Sequence, residues 1–171
     1  MKPIIRLAVE ADANQIANVH ILSWQTIYRG HIPDHVLNNL SIEKRTQEWL
    51  ERLQAGVIAW VLEFENKIIG FASICPTRDA DDDPKFVAEI SAVYLLPEFW
   101  RKGLGQQLCQ VVFDNVLNNQ FKEITVWVLE ANKQARYFYE TVGFFETGDV
   151  ETDHIGCESL RVVRYRKILT R

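Results

Sequence analysis

Residues 86–116 read FVAEISAVYLLPEFWRKGLGQQLCQVVFDNV, and they set the framework for the rest of the chain. The first part, 86–96, is apolar on both alternating faces and predicts a strand in the middle of a sheet. The last part predicts a helix over 104–117, because apolar residues recur there at the spacing of one helical face. These residues are Leu104, Leu108, Val111 and Val112. The segment therefore predicts a strand, a short loop and a helix in succession.

The loop between this strand and helix has the features of an anion-binding site. Gly103 and Gly105 fall at the first turn of the predicted helix, where main-chain amides lack helical partners and the helix dipole is positive. Glycine lets a ligand approach the backbone closely, and Arg101 and Lys102 add two cations beside it. The combination suits a diphosphate. A tight turn with two solvated bases is the alternative, and the common nucleotide signatures GxxxxGK[ST] and GxGxxG are absent.

The composition indicates an ordinary globular chain. Of 171 residues, 47% are hydrophobic and 25% charged, and the net charge is −4, so we expect one domain over residues 1–171. There is no basic surplus for nucleic acid and no apolar run of the ~20 residues that a membrane span needs, so neither partner is expected. The three cysteines are scattered, and no His or Cys pair has ligand spacing. We therefore expect reduced thiols, a cytoplasmic location and no metal.

Further elements are predicted on both sides of the central segment. The predicted helices are Ala11–Ile27, Lys44–Leu53 with Ser41 as its cap, and Asn132–Val142 followed by Gly143. The predicted strands are Ile4–Ala8, Val57–Glu63, Lys67–Ile74 after a turn at Glu65-Asn66, Glu123–Leu129, Phe144–Thr147 and Leu160–Ile168. Strands alternate with helices in the second half, which predicts an α/β or α+β fold with a mixed central sheet.

Three segments resemble the GNAT superfamily of acyl-CoA N-acyltransferases. That family has Pro-Glu after a strand, then [Gln/Arg]-x-x-Gly-x-[Gly/Ala] opening a helix, and Glu98–Gly105 is similar to it with Trp100 where Gln or Arg is usual. The segment Asn132–Phe144 resembles the family's N-x-x-A-x-x-x-Y-x-x-x-G-F, and Ile5–Asp12 is similar to its opening strand and helix. The resemblance covers essentially the whole chain.

The resemblance implies a fold, a cosubstrate and a reaction. The fold is a single GNAT-like domain with a mixed, mostly antiparallel central sheet flanked by helices on both faces. The reaction is transfer of an acetyl group from acetyl-CoA to a primary amine by direct attack. It also implies main-chain oxyanion donors at Val93 and Leu95. The cofactor-binding residues are then Val93, Leu95, Arg101, Lys102, Gly103, Leu104, Gly105, Gln106, Asn132 and Tyr139. A simple helix cap explains Asn132 equally well.

Two ionisable residues are candidates for the chemistry. Tyr139 lies on the same predicted helical face as Ala135 and Val142, and in the resemblance it falls on the family's general acid, which protonates the leaving thiolate. Tyr137 lies on a different face and is expected to be structural. Glu89 is the ionisable group of an otherwise apolar strand, where a carboxylate is costly unless it is paired or used. It is predicted to accept the amine's proton or to hold the amine, with a structural ion pair or an edge-facing side chain as the alternatives.

The sequence defines the residues that would bind the acceptor amine less sharply. Trp24 and Tyr28 lie four residues apart on one helical face and are predicted to form a wall for a cationic substrate, with a core role as the alternative. The four aspartates between 79 and 83 are expected to be a solvated face. The C-terminal bases at positions 161, 164, 166 and 167 are expected to be solvated or to protect a sheet edge.

Two other functions compete with acetyl transfer. A non-catalytic acyl-CoA sensor would bind the same cosubstrate without turnover, and a nucleotide-binding protein would hold ATP or NAD on the glycine-bearing loop. The acceptor, either a small molecule or a protein amine, stays open at this stage, as does a homodimer.

Overall fold

The computed structural model describes residues 2–170. The strands are β1 Ile4–Leu7, β2 Ile58–Phe64, β3 Lys67–Pro76, β4 Val87–Leu95, β5 Glu123–Leu129, β6 Phe145–Ile155 and β7 Glu158–Ile168. The α-helices are α1 Ala13–Ile27, α2 Asp34–Asn38, α3 Ile42–Gln54, α4 Leu104–Asn118 and α5 Lys133–Thr141. Short 3-10 turns precede α1 at Glu10–Asp12 and lead toward α4 at Pro97–Phe99.

Most of the predicted elements are confirmed, because their signals are local. Ser41 caps α3 by accepting a hydrogen bond from the Lys44 amide at 3.1 Å. Glu65 and Asn66 both have positive φ, as a two-residue hairpin turn requires. The closing hairpin was predicted too short: β6 extends to Ile155 instead of Thr147. Most of its residues are exposed and polar, so no alternation marks them as a strand.

The sheet is mixed and mostly antiparallel, as predicted. Within residues 2–170 it contains seven strands in the order β1-β2-β3-β4-β5-β7-β6. The β1–β2, β2–β3, β5–β7 and β6–β7 pairs are antiparallel, and β4–β5 is parallel. The β4–β5 register runs from Val87 opposite Glu123 to Ile90 opposite Val126, whereas β4 itself continues to Leu95. None of the helices in the described part of the chain is long and apolar enough to cross a membrane.

The chain divides into two compact units. The first consists of the residues up to Ile74 together with Ala92–Val112. Its core is formed by α1 and α3 against β2 and β3, and Ile16, Trp49 and Phe71 are among its fully buried members. Successive residues of β2 from Ala59 to Leu62 are all buried, so this strand is covered on both faces.

A buried histidine lies in the core of the first unit. His20 is 6% exposed, and its Nδ1 accepts a hydrogen bond from Trp49 Nε1 at 3.1 Å. Burial, and secondarily the positive charges of Arg45 and Arg52, lower the pKa of His20 to about 3. The folded protein therefore holds a neutral imidazole over a pH range in which an unfolded chain would protonate it.

The second unit consists of Cys75–Ser91 and the residues from Phe113 onward. At its centre Arg164, only 5% exposed, donates hydrogen bonds to Asp79 at 3.1 Å, Asp81 at 2.7 Å and Asp149 at 2.6 Å. Arg166 binds Asp82 at 2.8 Å. The expectation that these residues are simply solvated is thus wrong for Asp79, Asp81 and Asp82 and for Arg164 and Arg166, whereas Asp83 is exposed as expected.

The arginines of β7 instead hold the acidic segment 79–82 in place. Pairing with Arg164 lowers the pKa of Asp81 to about 2, and the Arg164 guanidinium also lies 5.6 Å from the centre of the Trp127 ring. Arg161, in contrast, is exposed and pairs with exposed Glu130, as a solvated base would.

Replacing Arg164 with methionine is expected to destabilise the fold by about 3 kcal/mol, because the mostly buried Asp79 and the more exposed Asp81 and Asp149 lose a charged partner. Urea unfolding measures the change. Arg161→Met, which removes an exposed ion pair of the same strand, should leave the unfolding midpoint nearly unchanged. Equal losses in the two variants would show that Arg164 has no special structural role.

Acidification is expected to destabilise the protein through His20. The folded pKa of about 3 lies below the ordinary value of 6.5, so this contribution to stability is complete above pH 6.5 and is lost as the pH falls. Between pH 7 and pH 5 the free energy of unfolding should fall by about 2 kcal/mol. His20→Asn should flatten this pH dependence, and His35→Gln, at an exposed site, should keep it. A wild-type protein with no loss over this range would contradict the assignment.

Candidate functional site

The glycine-bearing loop opens α4 as the sequence predicts. Gly103 has φ of +75° and directly precedes Leu104, the first residue of α4. At this end of the helix the Gln107 amide donates a hydrogen bond to the Gly103 carbonyl at 3.2 Å. The amides of Leu104, Gly105 and Gln106 therefore have no acceptor within their own helix and lie at its positive end.

The surroundings of Gly103 leave room for a ligand. A methyl group added at this glycine would meet no atom of the described residues within 4 Å. Arg101 and Lys102 are both exposed beside it. Arg101 has φ of +58°, a left-handed conformation that is uncommon outside glycine. The Lys102 ammonium lies 5.2 Å from the centre of the Phe99 ring. Two exposed cations and a turn of unpaired amides form a suitable cradle for a diphosphate.

Trp100 has a structural explanation that the sequence did not provide. Its indole Nε1 donates to the Leu95 carbonyl at 2.8 Å. The same carbonyl accepts a hydrogen bond from the buried Ser23 hydroxyl at 3.1 Å. The side chain that replaces the family's Gln or Arg thus ties the loop to the end of β4, which leaves Arg101 and Lys102 as the loop's cations.

The end of β4 directs two amides away from β3. The Leu96 amide donates to the Ile69 carbonyl of β3 at 2.8 Å. Because backbone groups alternate between the two edges of a strand, the amides of Val93 and Leu95 face the other edge. A Cβ at Gly70 would lie 2.9 Å from Leu95 Cγ, so a glycine there permits the close approach of β3. Amides that face away from β3 at the end of the strand are what the expected role as oxyanion donors would require.

Trp24 and Tyr28 are in ring contact, as their spacing predicts, and further aromatic residues pack beside them. Trp24 and Tyr28 are half-buried with ring centres 4.8 Å apart. Trp24 Nε1 donates to the Tyr94 hydroxyl at 2.9 Å, and the Tyr94 ring stacks on His20 at 5.0 Å. The Arg45 guanidinium lies 5.6 Å from the centre of the Trp24 ring, so one aromatic face already holds a cation.

Glu89 is buried and paired. It is 2% exposed, and its Oε2 accepts hydrogen bonds from the Arg78 amide at 3.0 Å and from Arg78 Nε at 3.2 Å. Arg78 Nη2 bonds the other oxygen, Oε1. The ion pair that the sequence analysis kept as an alternative is therefore present.

Tyr139 and Asn132 lie at α5. Asn132 Oδ1 accepts a hydrogen bond from the Ala135 amide at 3.0 Å, which confirms its role as the helix cap. Tyr139 is 6% exposed, and its ring centre lies 5.4 Å from that of Phe144. Tyr137 is 72% exposed on another face, so the expectation of a structural role for it is wrong.

Sequence reasoning missed Arg78, Tyr94 and Ser23. The requirement that a buried Glu89 be paired was a usable signal, and Arg78 and Lys85 were the bases of the neighbouring loop. Ser23 and Tyr94 gave no comparable signal, because their partners are 72 and 70 residues away in the sequence.

Comparison with known proteins agrees with this geometry. The model of the acetyltransferase (GNAT) family matches residues 24–144, more than half of the chain. The uncharacterized N-acetyltransferase YuaI of Bacillus subtilis is 32% identical over 134 residues, which cover 78% of this chain and 76% of that protein.

Solved structures share the fold. The acetyltransferase yncA of Salmonella typhimurium, described with acetyl-CoA as its cofactor, superposes with a TM-score of 0.75 at 19% identity, covering 100% of this chain and 96% of that one. The paia N-acetyltransferase of Thermoplasma acidophilum, solved with coenzyme A, has a TM-score of 0.73 at 20% identity and covers 98% and 99%. These likenesses show the fold, and the family match over residues 24–144 together with the 32% identity to YuaI establishes that the chain belongs to the GNAT family of acetyltransferases.

Proposed function

We propose that this protein transfers an acetyl group from acetyl-CoA to a primary amine by direct attack of the amine on the thioester. The observation that carries the proposal is the start of α4, where unpaired amides and open space meet two exposed cations. Two proteins of the same fold were solved with acetyl-CoA and with coenzyme A, which supports this choice of donor.

The diphosphate of the cosubstrate is assigned to the α4 loop. The amides of Gly103, Leu104, Gly105 and Gln106 supply neutral donors, and Arg101 and Lys102 supply charge. Main-chain amides can hold a diphosphate more closely than flexible side chains alone. At the glycines no Cβ separates the ligand from the backbone. Asn132 is assigned a bracing role near the same cosubstrate in addition to its cap.

The amides of Val93 and Leu95 are assigned to the thioester carbonyl. As the amine attacks, that oxygen gains negative charge, and preorganised amides stabilise it without reorganising. Two hydrogen bonds fix the backbone beside them, since the Leu95 carbonyl is bonded by Ser23 and Trp100.

Tyr139 is assigned the return of a proton to the CoA sulfur. An ordinary phenol has a pKa of ~10 and an ordinary thiol ~8.5, so the transfer is uphill by only about 2 kcal/mol. Burial of the ring beside Phe144 limits the orientations of the side chain. An acid held in one orientation transfers its proton more efficiently than a mobile one.

Glu89 is assigned to the acceptor side. An ionised carboxylate offers about four lone-pair sites, and Arg78 occupies three of them. The remaining site can bond one water, through which the ammonium of the acceptor loses its proton. Trp24 and Tyr28 are assigned to the wall of the acceptor site. The Arg45 guanidinium covers one face of the Trp24 ring.

A non-catalytic acyl-CoA sensor is the second candidate, and the engagement of Glu89 by Arg78 favours it. The two candidates differ in a free-thiol release assay with acetyl-CoA across a library of amines. The proposed transferase releases CoA with at least one amine class. A sensor is stabilised by acetyl-CoA and releases no thiol with any amine.

Gly103→Ala is expected to weaken acetyl-CoA binding by roughly tenfold or more, because the methyl group enters the space assigned to the diphosphate and the positive φ is strained. Gly56→Ala is the matched control: Gly56 also has positive φ with open space around it. Calorimetric titration compares the two variants. If both bind acetyl-CoA as the wild type does, the loop is not the phosphate site.

Tyr139→Phe is expected to lower kcat by roughly 100-fold or more, as the loss of a general acid does, with an unchanged Kd for acetyl-CoA. The ring remains, so its packing against Phe144 is kept. Tyr137→Phe removes an exposed hydroxyl two residues away and should have no effect on turnover. Unchanged kcat in the Tyr139 variant would remove this residue from the mechanism.

A further inference from the structure

Arg78 combines a fixed edge with a free one. A guanidinium has five N–H donors in a rigid planar fork. Arg78 directs Nε and Nη2 to the buried carboxylate of Glu89, and its main-chain amide bonds the same group. Yet the Arg78 side chain as a whole is 69% exposed, against 3% for Glu89. Among residues 2–170 no acceptor bonds Nη1, so the edge that bears it is left to the solvent.

The backbone on both sides of Arg78 is held. The Thr77 amide donates to the Val87 carbonyl of β4 at 3.0 Å. On the other side, the Asp79 carboxylate accepts from Trp127 Nε1 at 3.0 Å and from Arg164 at 3.1 Å. An arginine fixed in this way has little conformational entropy left to lose when it binds a ligand.

The acidic residues of this segment are engaged elsewhere. Asp81 pairs with Arg164 at 2.7 Å and Asp82 with Arg166 at 2.8 Å, so their carboxylates are directed to the guanidinium groups of β7. Glu89 in turn neutralises Arg78 from the buried side. The segment therefore exposes the free N–H donors of the Arg78 guanidinium, which is already held in one orientation.

We infer that Arg78 is a specificity-determining residue that binds a carboxylate on the acceptor, so that the acceptor is an amine that also bears an acid group, as amino acids do. The inference rests on the proposed function, in which Glu89 belongs to the acceptor side. A planar carboxylate matches the free fork edge through two parallel hydrogen bonds.

The opposite reading, in which Arg78 blocks Glu89 until an amine displaces it, fits the contacts less well. A single ammonium would have to replace two side-chain hydrogen bonds and one main-chain hydrogen bond from Arg78. During the exchange a buried carboxylate would lose its partner, which is strongly unfavourable. Binding of an anion to the outer edge leaves every existing bond in place.

The test compares matched acceptors by CoA release. Each pair consists of an L-amino acid and the amine that lacks its carboxylate, for example phenylalanine with phenethylamine; an aminoalkylphosphonate of similar length tests whether any anion suffices. The wild type should favour the carboxylate member by roughly tenfold or more in kcat/KM, and the phosphonate should be weaker than the carboxylate.

Two variants and a control connect this preference to Arg78. Arg78→Met should lower kcat/KM for the amino acid by roughly 10- to 100-fold more than for the bare amine, which loses only what the unpaired Glu89 costs it. Because methionine leaves Glu89 unpaired, Arg78→Lys is tested as well: it keeps the charge, lacks the fork, and should also lose the preference. Arg161→Met, which removes another exposed arginine of the same unit, should keep it.

The outcomes separate this inference from the proposed function. Turnover that favours bare amines, or equal losses for both members of a pair in Arg78→Met, overturns the inference and leaves acetyl transfer standing. Higher turnover of bare amines in Arg78→Met supports the blocking reading instead. Binding of acetyl-CoA without thiol release from any acceptor contradicts both. As a measure independent of turnover, the CoA-loaded wild type should bind N-acetylphenylalanine, and CoA-loaded Arg78→Met should bind it roughly tenfold or more weakly.

Discussion

Backbone groups that leave a sheet ladder must find other partners, and the end of β4 is where this requirement organises the first unit. The β4–β5 register ends at Ile90, and β4 continues to Leu95. The carbonyl of Leu95 is then satisfied by the Ser23 hydroxyl and the Trp100 indole. One of these partners fixes α1 to the strand and the other fixes the loop that leads into α4. The amides proposed for the thioester carbonyl and those proposed for the diphosphate are therefore positioned by bonds to a single peptide group.

In the second unit the organising interaction is a buried arginine. Arg164 holds Asp79, Asp81 and Asp149 from a nearly inaccessible position on β7. Buried charges are costly unless they are multiply paired, and here the pairing orders a segment whose composition would otherwise favour a mobile loop. Ordering that segment also orders Arg78 and, through it, the carboxylate of Glu89. The stability of this unit and the acceptor recognition proposed for Arg78 thus depend on the same set of charges.

Much of the fold and the start of α4 could be predicted from the sequence, because their signals are local. The start of α4, the turn at Glu65-Asn66 and the caps at Ser41 and Asn132 depend on neighbours within a few residues, and each agrees with the structure. The interactions that were missed join distant positions: Arg164 lies 85 residues from Asp79, and Trp24 lies 70 from Tyr94. The length of β6 was missed for a different reason, since an exposed polar edge strand has no hydrophobic alternation to mark it. The roles of Glu89 and Tyr139 in transfer remain proposals from burial and chemistry.

The central claim is that amides at the start of α4 bind the diphosphate of an acyl carrier. Amide proton shifts of Gly103, Gly105 and Gln106 during titration of the 15N-labelled protein with coenzyme A test it most directly. We expect these three resonances to move strongly with coenzyme A, because their donors gain a charged acceptor, and to move little with pantetheine, which lacks the diphosphate. Resonances that stay in place at saturating coenzyme A would contradict the account.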